Sequence, residues 1–436
     1  MVFHRLEIPY LPDLLALHQF KPDDYPYLLA SNTSGEVNTR YSILMAYPEQ
    51  TLTQYSDDDD CLDTIKTPLT DNQNDHDLPF IGGWFVFLSY EYAATIEPSV
   101  TFYPEKTGLP TAFISKIPAA VIIDHEKNIC TLVANRKNKN LINLIQQDIK
   151  QSTEVDTYSS NSFETQEEDP DIYRHHLNKI HQYIVDGDIF QANLSREWVA
   201  KAQSTLNPTC LYQKLRTTNP APFAALVKFE DKYILSSSPE RLVSVSNRIA
   251  ETRPIAGTYP RGKDQQEDKA FSKKLLNHPK ERAEHVMLID LERNDLGRIC
   301  EPGSIKVKDR MVVETYSYVH HIVSSICGKL RKNLSVKDVL HAVFPGGTIT
   351  GCPKVRCMEI ISELEQTARG AYTGSVGYIS DDGEMDFNIL IRTMTVTGNT
   401  VRFRAGAGIV SDSVTEKELT ETRHKARGLI NALQAD

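Results

Sequence analysis

Glu281 and Glu284, and again Glu418 and Glu421, lie three residues apart in runs that read as helices. Residues at i and i+3 share a helix face, so each run presents two carboxylates on one side, with Lys425 one turn beyond Glu421. If the two faces oppose one another, they form an all-oxygen site for a hard cation such as Mg²⁺; otherwise they are two solvated helix faces. The run Thr252-Arg-Pro-Ile-Ala-Gly-Thr-Tyr-Pro-Arg-Gly262 is a second chemical segment. Its prolines fix φ while Gly257 and Gly262 admit positive φ or close approach, so the loop is preset and offers donors to an anion. Phe344-Pro-Gly-Gly-Thr-Ile-Thr-Gly-Cys-Pro-Lys354 is glycine-dense and contains Thr348. Leading into a helix over 355–365, it is either an amide cradle for a carboxylate or a tight turn. It lacks P-loop spacing. His321, in an apolar run, is either a proton-transfer group or a satisfied core residue. Arg392 in Ile389-Leu-Ile-Arg-Thr either binds a buried carboxylate or reaches the rim, and the small residues Ala405–Gly408 let a ligand touch the backbone.

The elements that must position these groups read as an α+β fold with large β-sheets flanked by helices. A β-rich region spans 1–150, a linker rich in Ser, Thr and Glu spans 151–169, and the larger region runs over 170–436. Pro170 opens a helix in which Tyr173, Leu177, Ile180 and Ile184 recur at helical spacing, and Gly187 closes it. Strands are expected at Gly82–Tyr90, Ile189–Leu194, Gly374–Tyr378, Ile389–Thr393 and Arg402–Gly408, and a C-terminal helix from near Thr415. The net charge of −10 argues against a nucleic-acid partner but not against a small anion held by local arginines. Seven cysteines without a Cys-x-x-Cys pair point to reduced thiols rather than structural zinc. With neither a signal-type h-region nor eighteen consecutive apolar residues, the expectation is a cytoplasmic protein with no membrane partner.

From about Asp171 to Ala432 the chain resembles the chorismate-utilising enzymes. The resemblance is carried by Gly187-Asp-Ile-Phe-Gln, Ser236-Ser-Ser-Pro-Glu240, Pro254-Ile-Ala-Gly-Thr258, Ala283-Glu-His, Phe344-Pro-Gly-Gly-Thr, Gly377-Tyr, Ile391-Arg-Thr, Gly406-Ala-Gly and Glu418-x-x-Glu421. It implies Glu284 and Glu421 as Mg²⁺ ligands, with Glu281 and Glu418 behind them. It implies that Tyr378, Arg392, Gly406, Ala407, Gly408, Lys425 and Thr348 hold the substrate, chorismate, with Gly257 and Thr258 along its ring. Glu240 and His321 become acid/base candidates, with Thr258 beside them in the catalytic set.

Within the family, the short N-terminal part, Gly82-Gly-Trp…Ser-Tyr-Glu and the Phe344 loop resemble the aminodeoxychorismate synthase branch, which aminates C4 of chorismate. Ala256 stands where many of that branch carry a nucleophilic lysine, and matches the anthranilate branch, which aminates C2. The resemblance implies ammonia from a separate glutamine amidotransferase subunit in a heterodimer. A silent subunit that only binds chorismate or tryptophan is the alternative from another class. Tyr27-Leu-Leu-Ala-Ser31 with Asn219-Pro-Ala-Pro-Phe223 resembles a tryptophan pocket, implying Ser31, Pro222 and Phe223 as effector contacts, although Ala30 replaces the usual Glu.

Overall fold

The computed structural model describes residues 3–11, 13–31, 40–56, 58–69, 76–152, 161–315 and 319–435, without the side chains of Thr258, Pro260, Lys280 and Val319. Two antiparallel sheets, of twelve and ten described strands, dominate the architecture. The α+β expectation agrees with this arrangement. Among the described residues all seven cysteines are free, and no helix is long and apolar enough to cross a membrane.

Both sheets draw strands from either side of the expected linker. In the larger sheet Tyr27–Ala30 pairs with Phe223–Phe229, and in the smaller Gly83–Leu88 pairs with Ser375–Ser380. The division at 151–169 in the sequence is therefore not a division in space. Residues 153–160 lie outside the described ones, and Phe163–Glu167 is no linker: it pairs with Trp198–Ala202 as an edge strand.

Gly83–Leu88 is buried on both faces, which accounts for its unbroken apolar sequence. Its rings join an aromatic cluster between the sheets. Tyr27 stacks on Phe85 at 4.0 Å, and Phe113 meets Phe229 at 4.6 Å and Phe87 at 5.2 Å. The helix Pro170–Val185 begins where the Asp169 side chain accepts from the Asp171 amide. It buries Tyr173, Leu177 and Ile180 on one face.

The chain passes directly from one sheet to the other between Tyr41–Ala46 and Gln50–Gln54, between Ala112–Ile117 and Ala119–Asp124, and at two further places that adjoin each other. Lys232–Ser238 belongs to the larger sheet and Arg241–Ser246 to the smaller, with Pro239 and Glu240 between them. The return runs from Met385–Asn388 in the smaller sheet to Thr393–Thr397 in the larger. Ile389–Arg392 is thus not the expected strand but a crossing, and Arg392 takes φ of 54° to make the bend. These two adjoining crossings are bonded to each other: Ile389 N donates to Glu240 O at 3.0 Å and Ser237 N to Arg392 O at 3.1 Å.

Because the sheets share strands from both regions, they should melt together. Trp84 lies in the smaller sheet and Trp198 in the larger. Single-tryptophan variants should report one common urea midpoint, and Phe113→Ala should lower both midpoints together by an amount equivalent to about 3–5 kcal/mol. Separate midpoints would show that the regions fold independently.

Candidate active site

A cavity of about 900 Å³ opens between the two adjoining crossings and the two glutamate-bearing helices. The helices Pro279–Gly297 and Thr415–Gln434 bring Glu281, Glu284, Glu418 and Glu421 to its wall, so the two carboxylate faces do share one space. They are not drawn into a metal cage: among the described residues no three His, Cys, Asp or Glu side chains gather closely enough to hold an ion. Glu421 Oε1 is instead paired with Lys425 Nζ at 2.7 Å. Four carboxylates with hard oxygen donors suit Mg²⁺ in chemistry, and convergence would require Glu421 to leave Lys425.

The remaining walls come from strands. Ile255–Pro260 brings Ala256 and Gly257 to the cavity. Gly257 has φ of +66°, and a Cβ there would sit 2.7 Å from Glu281 Oε2, so this position needs glycine. Thr258 pairs with His321 in the backbone ladder, while its side chain lies outside the described residues. Thr400–Ile409 turns Arg404, Gly406 and Gly408 toward the cavity. A Cβ on Gly406 would come within 2.6 Å of Asn193 Oδ1 and 2.8 Å of the Tyr372 hydroxyl. Strand alternation turns the Ala407 side chain to the opposite face, fully buried in the apolar cluster that includes Tyr173 and Leu177, which leaves only its backbone to meet a ligand.

The first of the adjoining crossings places Glu240 and the second Arg392 at the cavity, and Thr348 arrives on the Gly347–Ile349 turn. Glu240 is 6% exposed, and its Oε1 makes no well-formed hydrogen bond among the described residues. Burial pushes its carboxyl up to about 7, with the nearby Thr348 hydroxyl and the Lys425 charge opposing the rise. His321 is pushed the other way, down to about 4, chiefly by burial; its hydrogen bond with the Gly257 carbonyl opposes this, and the charges of Arg392 and Lys425 add to it. His321 Nδ1 lies 3.4 Å from Gly257 O, which assigns the proton to Nδ1 and leaves Nε2 as an acceptor. Its neighbour His320 points the other way and is fixed by Asp268 and Thr315, each at 2.9 Å. Arg392 donates to the Lys425 carbonyl; burial pulls its guanidinium down to about 10, still charged at neutral pH.

Lining residues that escaped the sequence reading include Gln191, Asn193, Tyr372 and Arg404, with Glu416, Lys417, Thr420 and His424 on the C-terminal helix. Gln191 Oε1, Asn193 Oδ1 and Thr348 Oγ1 are buried without well-formed partners, as Glu240 Oε1 is. Such atoms are costly unless a ligand satisfies them. A signal was present: Gln191 and Asn193 alternate with apolar residues in Ile189-Phe-Gln-Ala-Asn-Leu194, marking one polar strand face.

Tyr378 is not in this cavity. Its strand Ser375–Ser380 lies in the smaller sheet next to Gly83–Leu88, and Tyr378 lines a separate cavity of about 250 Å³ with Ala30, Pro222 and Phe223. Ser31 is not among the residues lining that second cavity; its hydroxyl donates to the carbonyl of the lining residue Pro222 at 3.3 Å.

The family described as chorismate binding enzyme matches residues 25–431. The chain belongs to that family and is an enzyme of the chorismate-utilising class. It is 42% identical over 370 residues to an anthranilate synthase component I-like protein of Synechocystis sp., covering 84% of this chain and 75% of the relative. An aminodeoxychorismate synthase component 1 of Bacillus subtilis is 40% identical over 378 residues, covering 84% and 80%. The crystal structure of anthranilate synthase component I from Streptococcus pneumoniae TIGR4 aligns with a TM-score of 0.80 at 33% identity, covering 90% of this chain and 92% of that one.

Glu240 holds its proton below neutral pH and loses it as pH rises through about 7. Chorismate consumption should therefore fall on the alkaline side of that value if Glu240 acts as an acid. Glu240→Gln should lower kcat by about 10²–10⁴-fold across the range. A rate that stays level through this region in the native enzyme would exclude the acid role.

Proposed function

We propose that this chain is the aminating component of an aminodeoxychorismate synthase, converting chorismate to 4-amino-4-deoxychorismate with ammonia. The observation that carries the reading is Glu240: a buried carboxyl whose Oε1 has no well-formed partner, facing the same cavity as Arg392, Arg404, Lys417, Lys425 and two carboxylate-bearing helices. Chorismate carries two carboxylates and a C4 hydroxyl that must leave. Arg392, Lys425 and the close backbone at Gly406 and Gly408 suit the carboxylates, and Thr348 offers a further donor.

In the proposed reaction Glu240 gives its proton to the C4 oxygen as the C–O bond breaks, so that water leaves rather than hydroxide. Neutral His321 keeps Nδ1–H on the Gly257 carbonyl, and its Nε2 accepts the proton that the incoming ammonia sheds as the C–N bond forms. Mg²⁺ fits the donor chemistry of Glu284 and Glu421, backed by Glu281 and Glu418; when bound, it would neutralise the ring carboxylate of the substrate. Ala256 lines the cavity and carries no nucleophile, so no substrate bond to a side chain forms at that position.

Ala256 is also the observation that favours the second reading, anthranilate synthase component I, in which ammonia enters at C2. The segments at Gly82–Glu91 and Phe344–Gly351 favour the first. No cysteine is among the described residues lining the large cavity, which supports supply of ammonia by a separate glutamine amidotransferase subunit. The smaller cavity beside Pro222 and Phe223 is proposed to take tryptophan, with Ser31 fixing its wall and Tyr378 inside it.

Incubation with chorismate, Mg²⁺ and ammonium should yield p-aminobenzoate only after aminodeoxychorismate lyase is added. Anthranilate formed directly would establish the second reading. Ala256→Lys should move the product ratio toward the C4 amine, and glutamine should replace ammonium only when the partner subunit is present. Glutamine-dependent turnover by the isolated chain would contradict the two-subunit arrangement.

A further inference from the structure

The glycines of the strand Thr400–Ile409 do not leave its cavity face bare. The strand pairs antiparallel with Gln191–Ala202, Asn193 standing opposite Gly408 and Ser195 opposite Gly406. Ala192 and Leu194 turn to the far side, into the apolar cluster that holds Ala407 and Ile409. Gln191 and Asn193 therefore turn to the cavity, where they are 3% and 7% exposed. Each amide lies diagonally across the ladder, over a glycine. A Cβ on Gly408 would sit 2.3 Å from Gln191 Nε2, and one on Gly406 would sit 2.6 Å from Asn193 Oδ1. Two carboxamides thus fill the space of two missing side chains, and they form this part of the wall.

What the amides present is acceptors. Gln191 Oε1 and Asn193 Oδ1 are buried without well-formed partners, a costly state unless a ligand donates to them. The Tyr372 hydroxyl rims the same spot, 2.8 Å from the Cβ position of Gly406. Arg404, two residues before Gly406 on the same face, is anchored by Ser195 Oγ at 3.0 Å and Glu365 Oε2 at 3.2 Å. Its charge disfavours a second cation beside it. The spot therefore suits a small neutral molecule with several hydrogens to donate. Chorismate has two carboxylates, which only accept, and one hydroxyl, which faces Glu240 in the proposed reaction. Ammonia is the reactant with more than one hydrogen on a donor atom.

We infer that Gln191 and Asn193 form the subsite that receives ammonia. The inference rests on the proposed amination of chorismate and holds for entry at either carbon. Bound ammonia donates one N–H to Gln191 Oε1 and one to Asn193 Oδ1, which turns its lone pair away from the strand and into the cavity. Its third hydrogen remains for transfer to His321 Nε2 as the C–N bond forms and the C–O bond breaks. Water held by the same two oxygens has no hydrogen left to shed. The two amides thereby favour ammonia over the far more abundant solvent nucleophile.

The test measures chorismate consumption by the full chain with Mg²⁺ at one fixed pH, varying ammonium chloride and chorismate in turn. Asn193→Leu keeps the size of the side chain but removes the acceptor. It should raise the KM for ammonia about 3–10-fold while the KM for chorismate stays within about twofold. Gln191→Met should split the two constants in the same way. Asn193→Asp keeps an acceptor oxygen and should return the KM for ammonia toward the parent value. An unchanged KM for ammonia in both Asn193→Leu and Gln191→Met, or a rise confined to chorismate, overturns the inference and leaves the amination reading intact. Asn193→Asp as impaired as Asn193→Leu also overturns it, because the amide N–H would then be what matters. Absence of ammonium-dependent turnover by the parent overturns the amination reading and this inference with it. Should Asn193→Leu fail to fold, Gln191→Met with its acceptor-keeping counterpart Gln191→Glu gives the same decision.

Discussion

The pair of adjacent crossings between the sheets is the constraint on which the rest of the structure depends. Each leaves a strand of one sheet and enters a strand of the other within a few residues, and backbone hydrogen bonds from Ile389 to Glu240 and from Ser237 to Arg392 hold the two together. At such a point the strands diverge, and side chains between them are enclosed by both sheets without being covered by either. Glu240 is thereby buried yet faces a cavity, and Arg392 accepts a left-handed backbone conformation in a setting that over-determines it. Backbone geometry and site electrostatics have one origin here.

The electrostatic consequence is a division of labour between two titratable groups. Desolvation drives Glu240 toward its neutral acid form and His321 toward its neutral basic form, and the two face the same space. The permanent charges sit around them, on Arg392, Arg404, Lys417 and Lys425 on one hand and on the helix carboxylates on the other. That distribution suits a doubly anionic substrate from which a hydroxyl must be expelled. The same burial reaches further along the helix Pro279–Gly297 to Glu292 and Asp295.

Local periodicity makes much of this legible in the amino-acid sequence. The i, i+3 glutamates, the helix from Pro170 and the C-terminal helix from Thr415 follow from spacing and caps alone, and the fold places them accordingly. Spacing does not show which sheet a strand joins. Tyr378 reads as a site residue, yet its strand pairs with Gly83–Leu88 and carries it to the smaller cavity. Ile389–Thr393 reads as an apolar strand because its residues are buried, but they are buried by two sheets at a bend. The apparent linker near 160 ends in a paired edge strand, since polarity there reflects an exposed edge rather than absence of structure. The Ala407 side chain is within reach of period-two reasoning, because Gly406 and Gly408 toward the cavity put it on the other face.

The central claim is that the buried carboxyl at the first crossing faces the oxygen that leaves. A crystal structure with chorismate and Mg²⁺ bound tests it most directly. The C4 oxygen should lie within hydrogen-bonding reach of Glu240, the ring carboxylate between the two glutamate-bearing helices, and Glu421 should be released from Lys425. A complex with the C4 oxygen turned away from Glu240, toward solvent or toward the helix carboxylates, would contradict it.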